Sequence, residues 1–67
     1  MITAIVMIDA ATDSIPEVAA AIADLDGVSE VYSTAGEVDL IAIVRVREFE
    51  QIAVVIAARI SKVPGVL

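Results

Sequence analysis

Asp39 is a carboxylate at the head of an apolar, strand-like run, Leu40 to Val46, and it closes the compact polar segment Thr34-Ala35-Gly36-Glu37-Val38-Asp39. A fixed anion beside the backbone N–H groups of a chain reversal can hold a small zwitterion. The carboxylate accepts from an ammonium group, a charge-assisted bond worth about 1.5–3 kcal/mol, and the amides donate to a carboxylate. The local alternative is an Asx-type bond by which Asp39 holds its own turn, and both roles are compatible. Gly36 stands where the chain must reverse, so a backbone with φ > 0 is expected there. Its second use is to let an anion approach the amides in a nest-like arrangement. Tyr32, Thr34 and Ala35 lead into the reversal, and Glu37 and Val38 complete the candidate ligand-binding set. For Tyr32 the plainer role is cross-strand packing, and for Glu37 a solvated turn position.

Other chemistry finds little material. Acidic pairs occur at Asp9 and Asp13, Asp24 and Asp26, and Glu48 and Glu50, but none lies beside a nucleophile or base in an apolar setting. Two carboxylates in Asp24-Leu25-Asp26 are too few oxygen ligands for calcium. The absence of His and Cys excludes a soft-metal site, a disulfide frame and Cys or His nucleophile chemistry. No Gly-rich phosphate loop is present. The expectation is a non-enzyme without catalytic residues, metal or cofactor. A net charge of −6, with only Arg45, Arg47, Arg59 and Lys62 basic, argues against direct nucleic-acid binding. Arg45 and Arg47 read as a solvated strand end, or as partners across a subunit contact. No uncharged run approaches the roughly 18 residues of a membrane span, and the N-terminus lacks a signal-peptide layout. A soluble cytoplasmic protein is expected.

The elements that must position the reversal follow from periodicity. Ile2 to Ile8 and Leu40 to Val46 are apolar on both faces, which predicts strands covered on both sides. Ser14-Ile15-Pro16-Glu17 matches a capping box ahead of a helix whose stripe is Ile15, Val18, Ile22 and Leu25. Asp26-Gly27 ends that helix, with Gly27 placed for the left-handed C′ conformation. A strand over Val28 to Thr34 alternates Val28, Glu30, Tyr32 and Thr34 against Ser29, Val31 and Ser33. A second helix is predicted over Glu48 to Lys62, burying Phe49, Ile52, Ala53, Ile56 and Ile60, with Pro64-Gly65 as its stop. The hairpin strands are expected to end near Ala35 and restart near Val38.

An internal repeat joins these pieces. Shifted by 38 positions, Ala4-Ile5-Val6 lies on Ala42-Ile43-Val44, Val18-Ala19-Ala20 on Ile56-Ala57-Ala58, and Gly27-Val28 on Gly65-Val66. Two βαβ halves in tandem predict an α+β, ferredoxin-like βαββαβ chain in one domain spanning residues 1–67, an antiparallel sheet with two helices on one face. The fourth strand would open at Val66 and Leu67 and is missing or truncated. A hydrophobic fraction of 60% in 67 residues offers more apolar surface than a two-layer monomer hides, so oligomerisation is expected.

The whole chain resembles the RAM (regulation of amino acid metabolism) module, the ligand-binding domain of the Lrp/AsnC transcription regulators, in its stand-alone form without a helix-turn-helix. The resemblance rests on Val28-Ser29-Glu30-Val31-Tyr32, on the Gly-x-x-Asp turn within Thr34 to Leu40, on Val44-Arg45-Val46-Arg47 and on Ile60 to Val66 with its Pro-Gly-Val close. It implies a dimer with sheets packed face to face, an octamer-type ring of dimers, and an amino acid bound between dimers near Gly36 and Asp39. Full-length Lrp/AsnC regulators are implied partners. The sequence departs from the family's pattern at Val38, where an aromatic residue is common.

Three readings follow. The first is an amino-acid effector module acting through assembly. The second is a small dimeric α+β barrel enzyme, and the third a purely structural oligomerisation domain. A pocket at the turn between subunits marks the first, a pocket inside each protomer the second, and no pocket the third.

Overall fold

The computed structural model describes residues 1–67. Strand β1 (Ile2–Ile8) leads through a single 3-10 turn (Thr12–Ser14) into helix α1 (Ile15–Ala23), then strand β2 (Val28–Ser33) and strand β3 (Leu40–Val46). Helix α2 begins as α-helix (Glu50–Ala53), widens to π-helix (Val54–Arg59) and tightens to 3-10 (Ile60–Lys62). The strands form one antiparallel sheet in the order β1-β3-β2. Past α2, Val66 forms an antiparallel bridge with Ala10, and the Leu67 N–H donates to the Asp9 carbonyl at 2.9 Å. This is the ferredoxin-like arrangement with three full strands.

Register decides which residues share a face. Ile8, Leu40, Ala42, Val44 and Val46 are buried, and Val18 and Ile22 of α1 with Val55 and Ile60 of α2 close the core. The α1 stripe is as expected, because Val18 and Ile22 sit one turn apart on a regular 3.6-residue helix. Ser14 occupies the cap position, yet makes no capping bond; its hydroxyl donates to Asp13 Oδ1 at 3.3 Å. As the last residue of the 3-10 turn, Ser14 is held at φ −122° and ψ 6°, outside the extended conformation from which a cap reaches the N2 or N3 amide.

The α2 stripe differs from expectation. Phe49, Ala53 and Ile56 are exposed, while Val55 is buried. The cause is the π segment: the Ile60 N–H donates to both Val55 and Ile56 carbonyls. An i→i+5 turn superposes residues five apart, so Val55 and Ile60 share the inner face.

Strand β2 also departs from simple alternation. Val28 pairs with Val44 and Glu30 with Ile43, leaving Ser29 as a bulge. A bulge inserts one residue and inverts parity, so Val28 and Val31 both pack on the core while Glu30 and Tyr32 point outward. The expected grouping of Val28 with Glu30 and Tyr32 fails for this reason.

Within one protomer the second sheet face is uncovered, contrary to the two-sided burial read for β1 and β3. Ile5 and Met7 are 64% and 68% exposed. They pair across the sheet with Ile43 and Ile41, and Ile41 pairs in turn with Tyr32, giving an apolar outer surface.

Candidate functional site

The β2–β3 hairpin sets Ser33 opposite Leu40, so the reversal spans Thr34 to Asp39, slightly longer than the expected one. It is closed at its base. The Thr34 N–H donates to the Asp39 carbonyl at 3.1 Å, and the Thr34 hydroxyl donates to the Val38 carbonyl. Gly36 does not adopt positive φ; only Gly27 and Gly65 do. A six-residue loop spreads the reversal over several residues, so no single one is forced into the left-handed region. A Cβ added at Gly36 would meet nothing within 4 Å.

The Asp39 side chain does not hold its own turn. Its Oδ2 accepts the Ala10 N–H at 2.9 Å, and the Asp39 N–H donates to the Ile8 carbonyl at 3.1 Å. The residue therefore clamps the end of β1 to the start of β3. Ala10 is 3% exposed, so that amide has no water as substitute. The partner lies 29 positions away, and nothing in the local spacing marks it. The second carboxylate oxygen, Oδ1, accepts no hydrogen bond within the chain.

The rest of the loop is open. Ala35, Gly36 and Glu37 are exposed, and Val38 and Asp39 are half-buried. The N–H groups of Ala35, Gly36, Glu37 and Val38 donate to no atom of the chain. A half-free carboxylate thus stands at one end of four consecutive unengaged amides. Tyr32 lies on the outer sheet face, and its hydroxyl donates to Glu30 Oε2 at 2.8 Å. That hydrogen bond, and the Glu30 charge behind it, hold the phenol's pKa above its ordinary value. Glu30 also faces Arg45 at 3.8 Å. Tyr32 is thereby tied into the sheet surface and apart from the loop.

Within one protomer the turn lines neither of the two concavities. One, of about 240 Å³, is an apolar groove between β1 and the end of α2, lined by residues including Val6, Ile8, Ile56 and Leu67. The other, of about 420 Å³, lies at the opposite end of the sheet from the turn, where Asp26, Arg45, Arg47, Gln51 and Arg59 converge over Gly27. Sequence spacing offers no sign of that convergence, which the crossing of α2 over the end of β3 creates. No helix is long and apolar enough to cross a membrane.

Residues 3–67 match the model of the Lrp/AsnC ligand binding domain. Among solved structures, the chain is similar to TTHA0845 from Thermus thermophilus, at 39% identity and a TM-score of 0.94, over 100% of this chain and 84% of that one. It is similar to FFRP-DM1 at 28% identity and a TM-score of 0.91, over 100% of this chain and 89% of that one. A hypothetical protein, PHS023 from Pyrococcus horikoshii, matches at 28% identity and a TM-score of 0.91, over 100% of this chain and 81% of that one. No curated protein matches the sequence.

Proposed function

The chain belongs to the Lrp/AsnC ligand-binding domain family, a family of regulatory domains, and from that premise we propose that it senses an amino acid at a junction between its own copies. The observation that carries this reading is the Thr34 to Asp39 loop, with four unengaged N–H groups beside the free Oδ1 of Asp39. The two ends of a zwitterion match these two features. The α-carboxylate takes the loop amides, and the α-ammonium takes Oδ1. Ala35 and Gly36 present little side-chain bulk and Glu37 is exposed, so a second copy must wall the site and exclude water. The uncovered outer face of Ile5, Met7, Ile41, Ile43 and Tyr32 supports a dimer as the first step of that assembly.

A ligand that binds only at the junction stabilises the assembled state by mass action, by about 2.7 kcal/mol when it is present at a hundred times its Kd. The module then reports amino-acid supply as a change in assembly, as homo-oligomeric rings or as mixed assemblies with full-length Lrp/AsnC regulators in the cytoplasm. Calorimetry of each standard amino acid against the purified chain, paired with light scattering, tests this. Heat from one or a few amino acids, with a matching change in mass, is expected. Uniformly absent heat from an intact oligomer would leave the structural oligomerisation reading in its place.

A further inference from the structure

We propose that the concavity over Gly27 is a second ligand site, specific for a compact polyanion and separate from the Thr34 to Asp39 loop. The chain carries a net charge of −6 and only four basic residues, yet three of them, Arg45, Arg47 and Arg59, are among the residues that line this one cavity of about 420 Å³. Asp26 is the sole acid among its lining residues. Apart from the Arg45–Glu30 pair, no ion pair within the chain engages these cations. Arg45 meets Glu30 only at 3.8 Å, beyond hydrogen-bond reach, and Arg47 has no side-chain partner in the chain.

The lining is also oriented. Arg59 Nη1 donates to the Asp26 carbonyl at 2.8 Å, which fixes the guanidinium at the rim and leaves its other donors free. Gln51 Oε1 accepts the Arg47 and Glu48 N–H groups at 3.1 and 2.9 Å. With its oxygen so engaged, the carboxamide turns its NH₂ outward as a further donor. Gly27, at φ +94°, lays its backbone directly against the Val55 side chain at the floor. The site thus offers the Arg47 and Arg59 guanidiniums and an amide over a floor that includes Gly27, Val46, Val54 and Val55, while Arg45 lines it from β3 with its own guanidinium turned to Glu30 on the outer sheet face. Guanidinium forks match paired anionic oxygens, the chemistry shared by phosphate-bearing and polycarboxylate small molecules. Strand β3 separates the cavity from the turn by about 20 Å at its usual rise per residue, so one ligand cannot fill both.

The test is calorimetry on the intact protein at low, fixed ionic strength with pyrophosphate, adenosine monophosphate, citrate and adenosine. Pyrophosphate and adenosine monophosphate binding without citrate assigns a phosphate ligand, citrate alone a polycarboxylate, and both the shared chemistry. Adenosine gives no heat. Arg47→Gln, at an exposed side chain without partners, weakens the anion at least about tenfold, and Asp26→Asn tightens it about threefold. Lys62→Gln and Asp24→Asn, both outside the cavity, leave the affinity within about twofold. The proposal is overturned if no anion binds up to about 10 mM, or if Lys62→Gln weakens binding as much as Arg47→Gln, which marks diffuse attraction.

Discussion

Gly27→Ala is the substitution whose cost the structure defines most closely. The residue sits at φ +94°, and an added Cβ would lie 2.7 Å from Val55 Cγ2, with Val55 Cγ1 at 3.6 Å and Val46 Cγ1 at 3.7 Å. The left-handed backbone costs an alanine about 1–2 kcal/mol. Pressing a methyl into a packed position costs about 1–3 kcal/mol more, because Val55 is 1% exposed and has nowhere to move. The stiffer unfolded chain returns about 0.5 kcal/mol, and the expected net loss is about 3 kcal/mol. Val55→Ala alone removes two buried methyl groups and leaves a small void, for a loss of about 2 kcal/mol.

The double variant separates the two contributions. With both Val55 Cγ atoms gone, only the backbone cost remains, so Gly27→Ala in that background should cost about 1 kcal/mol. The coupling of about 2 kcal/mol is the signature of the Gly27–Val55 contact. It can be read as midpoint shifts in urea unfolding of all four proteins at one protein concentration, since assembly adds to apparent stability. Equal costs in both backgrounds would refute the contact, and with it the placing of Val55 on the inner face of α2. Free tolerance of Gly27→Ala would refute the left-handed backbone as well.

Asp39→Ala should destabilise by about 2 kcal/mol, because it leaves the buried Ala10 N–H unpaired, while Asp39→Asn keeps an acceptor and should lose about 1 kcal/mol; both should abolish amino-acid heat in calorimetry, whereas equal stabilities would deny the Ala10 bond. Tyr32 should ionise above the ordinary value of about 10, followed by phenolate absorbance, and Glu30→Gln should lower its pKa by removing the facing charge. Because the folded pKa lies above the unfolded one, the Tyr32–Glu30 contact stabilises below the ordinary tyrosine value, and its contribution fades as pH rises through the folded pKa. Met7→Glu on the uncovered sheet face should leave a folded protomer by circular dichroism but shift light scattering towards monomer, and unchanged mass would remove that face from the assembly.

Much of the fold was legible because helix α1 and the inner strand faces obey the ordinary periods. Val18 and Ile22 announce their face at a spacing of four, and Gly27 its left-handed end. Helix α2 misleads for a definite reason: its wide π turns move Val55 inward and Ile56 outward, and no propensity encodes that. The Ser29 bulge inverts β2 in the same way. The loop was legible as a loop, from Gly36 and its polar neighbours. What Asp39 does there was not, since its partner Ala10 comes from a different connection and is brought alongside only by the pairing of β1 with β3.

That pairing gives the candidate site its physical logic. Asp39 spends one oxygen on holding β1 to β3 and keeps the other free, so the same carboxylate that would meet an ammonium also anchors the strand whose outer residues, Ile5 and Met7, are the most exposed of the apolar sheet face. On the proposed reading, an ammonium on Oδ1 draws charge from the oxygen that accepts the Ala10 N–H, and the weakening of that bond would fall on the end of β1, the edge of the sheet and of its uncovered surface. The proposed chemistry at the loop and the uncovered apolar face therefore share a single structural element. On the proposed reading, coupling of this kind is the route by which occupancy of the loop becomes a change in assembly.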